Sequence, residues 1–230
     1  MTFRIFALGI ALCFGSSFAS ANEQIFVSGG PSLRSFERHK PAPHDRFWGN
    51  FLTSSIARYK EVKPEIGSDL VTWLVYRPAY ITRGQESNTD LIAEIKNMLK
   101  PITSNIVWFE SRKEFLDYLH KGQDRSKIKI RRLEYFGHSN KRNWCFDYSN
   151  RIDGAVLEPL CLHVDHLKSI KNRIFTSDAY CRSWGCHSGE EYSRAWYKAT
   201  GTRMWGAIGK TDYSTGAIPK LSTSGGKWVQ

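Results

Sequence analysis

The chain lacks the run of about 20 apolar residues that a membrane-crossing helix requires. Its longest apolar run, Ile5–Phe14, is too short, and nothing after it could span a bilayer. Internal repeats and low-complexity tracts are absent too. Hydrophobic residues at 41% and charged residues at 24% are ordinary globular values, which excludes a disordered tail, a collagen and a coiled coil. The 5 cysteines and the histidines show no standard zinc spacing, so no metal is expected. His163 and His166, three apart, read as surface residues rather than ligands. Gly209-Lys210-Thr211 ends like a phosphate loop, but Met204 stands where the first glycine is required. No cofactor is expected. The basic run Lys121, Arg125, Lys127, Lys129, Arg131 and Arg132 carries no interleaved aromatics, which argues against nucleic acid. It reads as a solvated edge, with adhesion to an anionic envelope surface as the alternative. What the chain does have is aromatic area for a core, 13% with 8 Trp, and a formal charge of +11.

The first residues read as a targeting leader. Arg4 precedes the apolar run, and Ala19-Ser20-Ala21 offers a cleavage site. That is the pattern of a secretory signal peptide over residues 1–21 and predicts a secreted or periplasmic protein. Export permits disulfides. Cys13 leaves with the leader. Cys145 and Cys161 flank an excursion between two core elements and can pair as a disulfide. The alternative for any remaining cysteine is a small buried hydrophobe.

Residues 22–68 are rich in Pro, Ser, Arg and Lys and read as an irregular arm with one helix across Phe51–Tyr59. Residues 69–230 read as one α/β domain. Strands are expected at Leu70–Tyr76, Asn105–Phe109, Ile128–Phe136, Ile174–Gly185 and Thr202–Ile208. Helices are expected after three capping boxes, Ser87/Asp90, Ser111/Glu114 and Ser188/Glu191, and a short one over Val164–Ile170. This alternation implies a mostly parallel sheet of about five strands with helices on both faces.

Ligands in such sheets bind beyond the carboxyl ends of the strands. His138 follows one strand and Cys186 the next, so neighbouring strands would bring the two together. A helix opening near Ser188-Gly189 would favour a Cys186 thiolate. His138 would move the proton. The rival nucleophile, Cys181, lies within its strand and reads as core or disulfide.

Two segments, Leu133-Glu134-Tyr135-Phe136-Gly137-His138-Ser139-Asn140 and Asp178 through Cys186-His187-Ser188-Gly189-Glu190, resemble the histidine and cysteine motifs of the caspase-like (caspase–haemoglobinase) superfamily. The likeness runs over about residues 70–230 and is nearest to bacterial secreted caspase-like domains, whose tails resemble Gly206-Ala207-Ile208-Gly209 through Trp228. The resemblance implies a cysteine peptidase acting on a peptide or protein. Cys186 would be the nucleophile and His138 the acid–base. The backbone N–H groups of Ser139 and Cys186 would form the oxyanion hole. Many family members carry Gly where this chain has Ser139. Asp212, after the fifth strand, is the candidate acid for a basic substrate side chain, with turn chemistry as its plain alternative. Inactive caspase-like binding modules and periplasmic thiol amidases are the other readings.

Overall fold

The computed structural model describes residues 21–34, 46–148 and 161–230. The leader read over residues 1–21, save its last residue, lies outside them, as does Cys13. Strands and helices alternate: β1 (Glu23–Ser28), α1 (Asn50–Ile66), β2 (Leu70–Tyr76), α2 (Arg77–Ser87), α3 (Leu91–Leu99), β3 (Ile106–Phe109), α4 (Arg112–Lys121) and β4 (Ile130–Phe136). Three short strands follow, β5 (His138–Ser139), β6 (Asn143–Cys145) and β7 (Cys161–His163). Then come β8 (Phe175–Ser183), α5 (Tyr192–Thr200), β9 (Met204–Ile208), β10 (Thr211–Asp212), β11 (Lys220–Leu221) and β12 (Lys227–Val229).

The central sheet has seven strands, not five, in the order β12-β9-β8-β4-β1-β2-β3. All pairs are parallel except β9–β12. One additional strand is β12, an edge strand whose Trp228 meets Trp184 and shares the Arg182 guanidinium with it. The other is β1, which corrects the reading of residues 22–68 as an irregular arm. β1 lies in the middle of the sheet with all 6 residues buried. Its hydrophobic signal is diluted by Glu23 and Gln24, whose polar groups are satisfied inside. Glu23 accepts from Arg125 at 2.6 Å, Thr72 at 2.6 Å and Tyr118 at 2.7 Å. Such partners are what a buried carboxylate requires.

Two apolar clusters flank the sheet. One gathers Phe115 and Leu119 of α4 with Tyr192 and Trp196 of α5. The other gathers Phe51, Leu52, Tyr59, Val62 and Ile66 of α1 with Leu91, Ile95 and Leu99 of α3. The Leu91/Ile95/Leu99 spacing places one face of α3 on the sheet. Asp90 caps that helix by accepting the Ala93 N–H, while Ser87 closes α2. Ser111 caps α4 as its sequence predicts.

Two local readings change. Val164–Ser169 is a 3₁₀ turn in which His163 and His166 cap each other's backbone. The Ser188/Glu191 box does not open a helix, because residues 186–191 form turns and α5 begins only at Tyr192. Among the described residues, no helix is long and apolar enough to cross a membrane.

Candidate active site

β4 and β8 are adjacent and parallel, with Tyr135 beside Ser183. Their pairing continues to the ends, where the Trp184 N–H donates to the Tyr135 carbonyl at 2.9 Å. Beyond it the two chains come closer than side chains allow. A Cβ on Gly185 would lie 2.2 Å from Ser139 Oγ and 2.8 Å from the Gly137 carbonyl oxygen. Glycine at 185 is therefore a packing requirement of the site. The Ser139 hydroxyl donates to the Cys186 carbonyl at 2.6 Å. The segments carrying His138 and Cys186 are thus joined at one corner of the sheet.

His138 opens β5, the edge strand of the small β5–β6–β7 sheet, directly opposite Cys145. Its ring stacks on Tyr148 at 4.2 Å and takes the edge of Phe51 at 5.0 Å. Phe51 in turn meets Tyr213 at 4.8 Å. The Tyr135 hydroxyl reaches the His138 carbonyl at 2.8 Å and the Cys145 carbonyl at 2.9 Å. The imidazole therefore sits in an aromatic frame drawn from α1, the β10 end and the irregular residues just after β6. The Asn140 N–H donates to the Asn143 carbonyl. Antiparallel alternation then turns the Ser139 N–H away from β6, toward the open edge.

Cys186 is half-buried, and its sulfur is seated on Thr211. The Thr211 N–H donates to Sγ at 3.4 Å, and Thr211 Oγ1 lies 3.5 Å away. Among the described residues, the hydrogen bonds on this sulfur all involve Thr211. The thiol in turn faces the Thr211 carbonyl oxygen at 3.8 Å. The helix expected to open at Ser188 begins only at Tyr192.

A pair the sequence reading overlooked secures the loop after the nucleophile. His187 adopts a left-handed φ of 59° and donates its N–H to the Gly209 carbonyl at 2.7 Å. Its Nδ1 meets Glu190 Oε1 at 2.5 Å, and the same oxygen accepts the Gly209 N–H at 3.3 Å. The hydrogen bond from His187 holds the Glu190 carboxyl below its usual range. A non-glycine residue in this region costs roughly 1–3 kcal/mol and persists only when its surroundings enforce it. Here the enforcing contacts run to the end of β9.

The remaining candidates are placed as follows. Cys181 is buried in the core, and burial pushes its thiol far up, so it is no nucleophile. Cys145 and Cys161 face each other across β6–β7 as thiols, so the expected bridge is not formed in this structure. Burial pushes the Cys145 thiol up to about 12. Asp212 is exposed and accepts from the Ser214 N–H at 2.8 Å and hydroxyl at 3.0 Å, so its carboxylate closes a turn. The basic run is divided: Lys121 and Lys127 are solvated as read, while Arg125 and Arg132 are buried against carboxylates. Arg125 pairs with Glu23, Arg131 with Asp69, and Arg132 with Glu134 and Glu65. Among the described residues, no group of His, Cys, Asp and Glu is arranged to hold a metal ion.

No family model, curated protein or solved structure matches this chain. The fold and the site geometry therefore carry the functional argument.

Proposed function

We propose that this chain is an exported thiol hydrolase of caspase-like type, a cysteine peptidase acting on a peptide or protein substrate. The observation that carries the reading is the corner where β4 and β8 end, closed by the 2.6 Å Ser139–Cys186 hydrogen bond. It puts the segment of a histidine beside that of Cys186, a half-buried cysteine whose sulfur accepts the Thr211 N–H. In this reading Cys186 Sγ attacks the substrate carbonyl carbon while His138 accepts the thiol proton. The tetrahedral oxyanion is met by the N–H groups of Ser139 and Cys186. His138 then returns the proton to the leaving amine, and water hydrolyses the acyl-enzyme. The chemistry requires no metal and no cofactor.

Labelling of the reduced protein with a thiol-directed electrophile tests this. Cys186→Ala should abolish rapid labelling and Cys181→Ala should leave it intact, while His138→Ala should slow it and change its pH profile. Labelling no faster than that of an ordinary small-molecule thiol, and indifferent to His138, would refute the enzyme. One observation favours a second reading, an inactive caspase-like binding module. Where many family members carry Gly, the Ser139 hydroxyl is bonded to the Cys186 carbonyl beside the candidate nucleophile. A thiol amidase would share the labelling result but cleave simple amides rather than peptides.

A further inference from the structure

Cys145 and Cys161 are directly opposite across β6–β7. Whether opposite residues can be bridged depends on which kind of antiparallel pair they form. The Val164 N–H donates to the Arg142 carbonyl at 2.9 Å, so 142 and 164 are a hydrogen-bonded pair. Alternation along the ladder makes 143/163 a non-bonded pair, 144/162 a bonded one and 145/161 non-bonded again. Non-bonded pairs hold their Cα atoms about 4.5 Å apart with the side chains on the same face. That lies within the range of about 4.4–6.8 Å that disulfides adopt. The row continues: on the other side of β6, Cys145 is opposite His138. The Tyr135 hydroxyl contacts the carbonyls of both His138 and Cys145.

We propose that Cys145 and Cys161 form a reversible redox pair whose disulfide cross-links β6 to β7 in the row that carries His138. The half-buried Cys145 thiolate attacks the disulfide of an oxidant, either glutathione disulfide or an oxidoreductase of that chemistry. One thiol is released and a mixed disulfide remains. The Cys161 thiolate then attacks the Cys145 sulfur and releases the second thiol. In sum, two protein thiols become one disulfide, and the oxidant's disulfide becomes two thiols. Burial raises the Cys145 pKa and makes the first step slow in the folded protein. Closure of the bond fixes β6 and β7 against each other and sets the position of the neighbouring strand. The pairing does not rest on the peptidase reading. Its consequence for His138 does.

The test equilibrates the purified full chain overnight in glutathione buffers from fully reducing to fully oxidising. Remaining thiols are then trapped with N-ethylmaleimide, and the peptides are identified by mass. The expected result is a linked Cys145–Cys161 peptide pair that grows with oxidation and disappears on reduction. It should be absent in Cys161→Ser, with Cys181 trapped as a thiol throughout and Cys186 found as a thiol or as its glutathione mixed disulfide, never linked to another cysteine of the chain. A bond from Cys145 to Cys186 would overturn the proposal. So would both thiols surviving under conditions that oxidise the urea-unfolded chain. The coupling is read from the iodoacetamide reaction rate of Cys186, which should differ at least threefold between the oxidised and reduced forms. Equal rates would refute the coupling. Labelling of Cys186 in the reduced protein is judged separately, so failure of the peptidase reading remains distinguishable.

Discussion

Substituting Gly185 by alanine probes the corner on which the site depends. The new Cβ would sit 2.2 Å from Ser139 Oγ, 2.8 Å from Ser139 Cβ and 2.8 Å from the Gly137 carbonyl oxygen. Two of these atoms belong to a short side chain anchored to the Cys186 carbonyl, and the third is backbone. None can yield without moving a strand end. Overpacking of this kind costs about 1–3 kcal/mol. Displacing Ser139 also forfeits a hydrogen bond of about 1 kcal/mol. The expected loss is therefore about 3 kcal/mol. With a urea slope of about 2 kcal/mol/M it lowers the unfolding midpoint by about 1.5 M. The thermal midpoint should fall by about 6–12 °C for a chain of this size. Removing the Ser139 side chain in Gly185→Ala/Ser139→Gly relieves two of the three collisions. The double variant should regain about half of the loss, giving a coupling of about 2–3 kcal/mol in the mutant cycle once the cost of Ser139→Gly alone is counted. A single variant within about 0.2 M of the parent midpoint would refute the reasoning. Strict additivity of the two substitutions would do the same.

Three further outcomes are expected. Glu134 is fully buried and accepts from Arg58 at 3.2 Å, Arg132 at 2.6 Å and the Trp184 indole at 2.7 Å. Glu134→Gln should cost about 3 kcal/mol by leaving buried guanidinium charge uncompensated, and a urea midpoint no lower than the parent's would contradict this. Thr211→Val removes a hydroxyl 3.5 Å from the Cys186 sulfur. The rate of Cys186 alkylation at fixed pH should change, and an unchanged rate would dismiss the Thr211 hydroxyl as a partner of the sulfur. The Cys145 thiol is raised from 9.0 to about 12. Between those values the folded chain holds a proton that the unfolded chain has lost, so its contribution to stability is full below pH 9 and declines as pH rises. In Cys145→Ala the fall of the urea midpoint between pH 9 and 11 should be shallower. An identical slope would show that this thiol titrates normally.

Much of the architecture was legible because local patterns and global packing agree. Leu70–Tyr76 is a dense apolar run and forms β2 with the expected bounds. Leu91, Ile95 and Leu99 recur at helical spacing and are all buried. The misses have physical causes. β1 hid because Glu23 and Gln24 interrupt its apolar pattern, and only Arg125, Thr72, Tyr118, Asp69 and Arg132, all distant in sequence, make those residues tolerable in a core. Ser188 looked like a helix cap, but its hydroxyl bonds back to the Gly185 carbonyl at 3.0 Å, so it closes a turn instead. Lys121 and Lys127 of the basic run are solvated as read, but Arg125 and Arg132 are buried because partners such as Glu23 and Glu65 come from other elements.

At the site, sequence alone determined that a histidine and a cysteine follow successive long strands and that glycines precede both. These are local properties, fixed by hydrophobic runs and their terminators. Tertiary structure decided that those strands are neighbours, that Ser139 occupies the space beside Gly185, and that Thr211 rather than a helix end supports the Cys186 sulfur. It also decided that Cys145 and Cys161 fall on a bridgeable pair of the β6–β7 ladder. Each of these depends on register between segments tens of residues apart. Register is set by how the whole sheet buries its two faces, and that information is spread over the chain rather than held in any one motif.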